Sequence, residues 1–244
     1  HGGQSIPAFD FYLAKGVAKT FRKEYRNNIN RALELELDTV LDIKEKFDAI
    51  EKETGLIAKI EIEDAFVKAV QKMLKEDYGI SEEKAQRMTS FAYQEALKDT
   101  KKRTFQAMEG FVHNLNTMHS RAGAQVPFSS INFGTDMSPE GRMISENLML
   151  AQEAGLGNGE TPIFPILIFK VKEGINYNPE DPNYDLFKLA MRVSAKRLFP
   201  NFSFLDAPFN FQYYKEGHPE TETTYMGCRT RVMGNINGPE IATG

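Results

Sequence analysis

The residues of this sequence best suited to chemistry lie in Tyr225-Met226-Gly227-Cys228-Arg229-Thr230-Arg231-Val232, which carries the only cysteine among 244 residues. A lone thiol is a nucleophile, a radical site or, because free cysteine is among the most buried side chains, a small hydrophobe in a core. Gly227 frees the backbone just before the sulfur, and Arg229 and Arg231 follow it with polar Thr230 between them, which is the texture of a loop. A guanidinium beside a thiol favours the thiolate or holds an anionic ligand next to it. The pairing of one sulfur with two arginines therefore predicts a site for a phosphorylated substrate.

A second group of polar residues stands where a strand is expected. Val126-Pro127-Phe128-Ser129-Ser130-Ile131-Asn132-Phe133 has the composition of a strand, yet Ser129, Ser130 and Asn132 lie within it. Inward hydroxyls and amides cost stability unless they are bonded, so these residues line a cavity or, alternatively, form a polar face turned to water. The two-residue repeat of a strand puts Ser130 and Asn132 on one face with Phe128, and Ser129 on the other with Ile131. A third group is the run Lys101-Lys102-Arg103. It reads as a solvated helix face or as a contact to a nucleotide phosphate.

The elements that must position these groups follow from hydrophobic period and breakers. Ser5 reads as an N-cap, with Pro7 in the first turn and Phe9, Leu13, Val17, Phe21 and Tyr25 repeating every four residues along one helical stripe. Leu33 through Ile50 continues as one or two long helices until Gly55, and a further helix over Ile62 to Leu74 stops near Gly79. Ser81 then caps a long helix whose later apolar face is Phe105, Met108, Val112 and Leu115. Its apolar face exceeds what one neighbouring layer needs, which predicts a homodimer contact.

Beyond Thr117 the pattern becomes alternating. Gly134-Thr135-Asp136 turns the chain, and Ser138-Pro139 starts a helix ended by Gly155. Ile163 to Val171 is a nearly continuous apolar run, the mark of a strand buried on both faces, with Pro165 near its start. A turn-rich loop over Asn178 to Asn183, a helix from Leu186 to Leu198 and a short strand at Phe202 to Leu205 follow, Pro200 stopping the helix. Strands and helices in alternation predict an α/β sheet with the site at strand ends and the loops after them. The domain reading is therefore 1–117 mainly helical and 118–244 α/β.

Composition narrows the classes of partner. A net charge of −4 argues against nucleic acid or an anionic membrane, and no apolar run approaches a membrane span. One cysteine excludes an intramolecular disulfide or a multi-cysteine metal site within the chain, which fits a reducing, cytoplasmic compartment. The first residue is His1 and no terminal signal closes the chain, so it reads as a fragment of a longer protein.

The segments Met118 to Asp136, Asp181-Pro182-Asn183-Tyr184-Asp185 and Met226-Gly227-Cys228-Arg229 are long and low in degeneracy. Through them the chain resembles the anaerobic (class III) ribonucleoside-triphosphate reductases, glycyl radical enzymes, over essentially all its residues. The resemblance implies a ten-stranded α/β barrel made of two half-barrels with the reactive cysteine on a finger loop. This chain would supply most of the first half, preceded by long helices that form the dimer face and carry the dNTP effector site; of the implied dNTP/ATP effectors, ATP would act at a regulatory cone outside the chain. It implies that Cys228 becomes a thiyl which takes the 3′ hydrogen of a ribonucleoside triphosphate, and that Met226 lies beside the site. His119, Ser120, Arg121, Ser129, Ser130, Asn132, Gly227 and Arg229 are the implied substrate contacts, and Lys102 the effector contact. No cofactor or metal is expected within the chain. The glycyl radical, installed by a radical-SAM activating enzyme, and a structural zinc are expected in a missing C-terminal part, so the fragment alone should be inactive. A second reading keeps the first hundred residues as a helical binding or assembly module on an α/β scaffold, with Cys228 a packed bystander.

Overall fold

The computed structural model describes residues 3–119, 123, 125–218, 221–228 and 230–232. They fall into two compact units, residues 14–104 and residues 1–13 with 105–244.

The unit of residues 14–104 is helical. It contains most of α1 (Phe9–Leu37), then α2 (Lys44–Thr54), α3 (Asp64–Tyr78) and most of α4 (Glu82–Thr117). The four-residue repeat of α1 buries Phe21, Tyr25, Ile29 and Leu33, against Phe47 and Ile50 of α2, Phe66, Val70 and Leu74 of α3 and Ala85, Met88 and Ala92 of α4. The rings of Tyr25, Phe47 and Phe66 meet one another 6.2 to 6.4 Å apart. Both α2 and α3 end on a left-handed glycine, Gly55 and Gly79, as their sequence positions predict.

The other unit is built on a parallel sheet of β1 (Gln4–Ile6), β2 (Ser129–Phe133), β3 (Ile166–Val171) and β4 (Asn201–Phe204), in that spatial order. Helices α5 (Pro139–Ala154) and α6 (Tyr184–Arg197) connect β2 to β3 and β3 to β4, and pack on each other. Ser138 caps α5 by accepting the Gly141 N–H, as Ser138-Pro139 predicts. Gly141 must be glycine, because a Cβ there would stand 2.0 Å from Asp136 Oδ2. Every residue of β3 is buried, in keeping with its apolar run. After β4 come the short helix α7 (Pro208–Phe211) and an antiparallel hairpin of β5 (Thr224–Met226) and β6 (Thr230–Val232). No helix of the described residues is long and apolar enough to cross a membrane.

Three expectations change. Ser5 is not an N-cap; it lies in β1, pairs with Ser130 across the sheet, and α1 begins later, at Phe9. A three-residue strand has too little alternation to register as a period, and its partner is more than a hundred residues away in sequence. The strand expected from Val126 begins only at Ser129. The helix expected from Leu186 to Leu198 begins two residues earlier, at Tyr184, and ends at Arg197, with Leu198 as its left-handed C-cap just ahead of Pro200, which stops it as expected.

Candidate functional site

The hairpin β5–β6 presents Cys228 at its turn. Met226 and Thr230 are its last paired residues, and Gly227 takes the left-handed conformation that starts the turn, with φ of 63°. Cys228 is exposed, which removes the reading of a core hydrophobe for the described chain. Among the described residues no imidazole or carboxylate hydrogen-bonds the sulfur in the way a nucleophilic-cysteine site arranges its base.

What holds this finger is the polar face of the sheet. Asn132 is fully buried; its Oδ1 accepts the Tyr225 N–H at 2.9 Å, and its Nδ2 donates to Tyr225 O at 2.9 Å and Ile6 O at 3.2 Å. Ser130 Oγ accepts the Gly227 N–H at 3.0 Å, and Ser5 Oγ donates to Tyr225 O at 2.8 Å. Ser5, Ser130 and Asn132 point the same way because β1 and β2 are in register there and alternate in face. The opposite face carries Phe133 and Phe169, whose rings meet at 5.5 Å, with Phe187 of α6 stacked beyond them. Of the polar groups anticipated from sequence, Ser130 and Asn132 are therefore paired with finger backbone groups, Asn132 also with Ile6 O of β1.

The base of the finger is tied as well. Tyr225 OH donates to Asn210 Oδ1, Thr223 Oγ1 donates to Asn210 O, and Glu222 meets Lys170 and Lys172. On the return strand, Arg231 donates to Phe209 O at 2.6 Å and its guanidinium lies over the Phe209 ring. This corrects one expectation: Arg231 is committed to α7 and is not a charge offered to the thiol.

The remaining expected site residues are distributed as follows. Ser129 is on the far face of β2 from the finger, donating to Pro127 O, so the alternation removes it from the group of Ser130 and Asn132. Met226 is partly exposed beside the turn. His119 is exposed just beyond the end of α4. Ser120, Arg121 and Arg229 lie outside the described residues. Lys102 is exposed on α4 in the helical unit; its neighbour Arg103 pairs with the buried Glu24. Among the described residues no three His, Cys, Asp or Glu side chains gather to hold a metal ion.

The Asp181 to Asp185 motif has a scaffolding explanation. Asp181 Oδ2 accepts the N–H groups of Tyr177 and Asn178, and buried Asn183 donates to Gly134 O and Asp136 O. Arg142 reaches from α5 to Pro182 O, Asn183 Oδ1 and Asp185 Oδ2. Together they lock the loops at the carboxyl ends of β2 and β3. Asp10, missed from sequence, joins them: its carboxylate accepts the N–H groups of Gly134 and Asp136 from the first turn of α1. Burial pushes its pKa up despite those bonds. Lys170 was also missed, although a single charge within the apolar run of β3 was the signal that could have exposed it.

A family model described as anaerobic ribonucleoside-triphosphate reductase matches residues 1–244. Proteins of that name are similar to this chain in Escherichia coli strain K12, 34% identical over 148 residues, and in enterobacteria phage T4, 36% identical over 152 residues. Those matches cover 59% and 61% of this chain but only 20% and 24% of the relatives. The namesake of Haemophilus influenzae is 39% identical over 101 residues, 41% of this chain and 14% of the relative.

Proposed function

Because this chain belongs to the anaerobic ribonucleoside-triphosphate reductase family, we propose that it is part of an enzyme converting ribonucleoside triphosphates to 2′-deoxyribonucleoside triphosphates, with Cys228 the reacting residue. One observation carries the assignment to this sulfur: Cys228 is exposed at the turn of a hairpin whose first strand is bonded to the polar face of a parallel sheet. Such a mount holds the sulfur's backbone while leaving the sulfur itself accessible. The four-stranded sheet with the finger on one face is the first half of a ten-stranded barrel in this proposal, and residues 118–244 are its share of the chain.

The role of Cys228 is hydrogen-atom transfer. Its thiyl takes the 3′ hydrogen of the ribose, breaking that C–H bond and forming S–H; the 2′ hydroxyl takes up a proton and leaves as water, an external two-electron reductant of the formate or dithiol class supplies the net two electrons and two protons of the reduction, and the 3′ hydrogen then returns from the sulfur and restores the thiyl. S–H and activated ribose C–H bonds are close in strength, so the exchange runs in both directions. A glycyl radical elsewhere in the reductase, made by a radical-SAM activating enzyme, supplies the oxidising equivalent, and a structural zinc belongs to that other part. Met226 borders the sulfur, and His119, Ser120, Arg121 and Arg229 are the proposed substrate contacts. Ser130 and Asn132, whose polar atoms are bonded to the finger, act as positioning residues and not as ribose ligands. Residues 1–117 supply the dimer face, and Lys102 an effector phosphate contact.

The test is Cys228→Ser in the full-length reductase. An O–H bond is much stronger than S–H, so serine cannot relay a radical, while nearly equal volume preserves folding. A normal glycyl signal by electron paramagnetic resonance without deoxynucleotide supports the reading. Deoxynucleotide at near wild-type rate refutes it.

A further inference from the structure

Lys170 is the single cation inside an apolar strand, and the sheet leaves it 4% exposed. Its Nζ lies 2.8 Å from Glu222 Oε1, while Lys172 Nζ approaches Glu222 Oε2 at 3.4 Å. Glu222 is the only carboxylate that pairs with Lys170 among the described residues. Lys170 shares a face with Ile168, the register partner of Asn132, so it stands on the same polar face that bonds the finger higher up. Glu222 itself lies just ahead of β5, at the foot of the finger.

A three-residue β5 carries little register information of its own. Its placement on the sheet comes from anchors along its length: Glu222 at the foot, Tyr225 in the middle, Gly227 at the turn. Two lysines on the two oxygens of one carboxylate fix its orientation as well as its place, which an apolar contact would not do. Withdrawing the carboxylate also leaves the Lys170 ammonium buried without a counter-ion, so the foot cannot simply relax in place.

We propose that Glu222, clamped by Lys170 and Lys172, is a positioning residue that sets the register of the finger on the sheet and thereby where Cys228 is presented. The consequence for turnover rests on the proposed role of Cys228 as the reacting sulfur; the clamp itself does not.

The experiment uses the full-length reductase with its activating enzyme and the variants Glu222→Gln and Glu222→Gln with Lys170→Met. Hydrogen exchange is followed before activation, and kcat, KM and glycyl-radical content after it. In Glu222→Gln the amides of Tyr225 and Gly227 should exchange about tenfold faster or more, with β2 and β3 as protected as in wild type. Turnover should fall by a similar factor, with KM and radical content unchanged. Adding Lys170→Met should recover part of both losses, because the unpaired ammonium is gone. Wild-type exchange in the finger of Glu222→Gln, protection lost from β2 and β3 together with the finger, or a double variant no better than the single one would each overturn the clamp. Should Glu222→Gln not fold, Lys172→Met makes the same comparison, with roughly threefold faster finger exchange expected and wild-type exchange again overturning the clamp. A wild-type reductase that makes no deoxynucleotide would instead remove the role of Cys228, while the exchange data would still decide the clamp.

Discussion

Replacing Asn132 by alanine removes three hydrogen bonds at once: one accepted from the Tyr225 N–H and two donated, to Tyr225 O and Ile6 O. Their consequences differ. Tyr225 O keeps Ser5 Oγ as a donor, so it is left partly satisfied. The Tyr225 N–H loses the acceptor that holds it to the sheet, and a donor stranded in a half-buried place costs about 1–3 kcal/mol. With the two weaker losses the finger should be loosened by roughly 2–4 kcal/mol relative to the sheet, equivalent to about 30- to 1000-fold in its closed population. The global fold should suffer less, because β2 remains paired to β1 and β3 through its backbone. In the full-length reductase, Asn132→Ala should therefore lower kcat by one order of magnitude or more, with KM for the nucleotide nearly unchanged and glycyl-radical formation intact. Asn132→Asp should be worse still, since a carboxylate would face the carbonyls of Tyr225 and Ile6 without a proton to donate. Steady-state kinetics beside radical quantification make the measurement. A raised KM at unchanged kcat would show that Asn132 binds substrate directly, and would refute the argument from its bonding partners.

Lys102→Ala should blunt dNTP control of substrate choice while basal turnover is little changed, because Lys102 is exposed on α4 and has no ion-pair partner among the described residues; an unaltered effector response in a substrate-competition assay would remove Lys102 from the effector site. Asp10 holds its proton more tightly folded than unfolded, so its contribution to stability is present below its ordinary pKa of 3.8 and is lost as pH rises through the raised folded value. Denaturant titrations over that window should show a flatter pH dependence for Asp10→Asn than for wild type, and parallel curves would contradict the burial argument.

Much of this protein was legible in its residues because the signals are local. Left-handed Gly55 and Gly79 end their helices, Ser138-Pro139 opens α5, and the apolar run of β3 marks a strand buried on both faces. The two-residue alternation of β2 also separated Ser130 and Asn132 from Ser129, and the structure places them on opposite faces. Local sequence could not supply the partners. That Ser5 belongs to a strand, that Asn132 is spent on Tyr225, that Arg231 is held by Phe209 and that Lys170 meets Glu222 all depend on contacts between segments distant along the chain or across a turn. A side chain's type states which bonds it must make if buried, and its spacing states the face it occupies. Only the pairing of β1 with β2 and the folding of the finger onto the sheet decided that these polar groups bind the protein's own backbone, since buried donors and acceptors are satisfied by whichever groups the fold brings within reach.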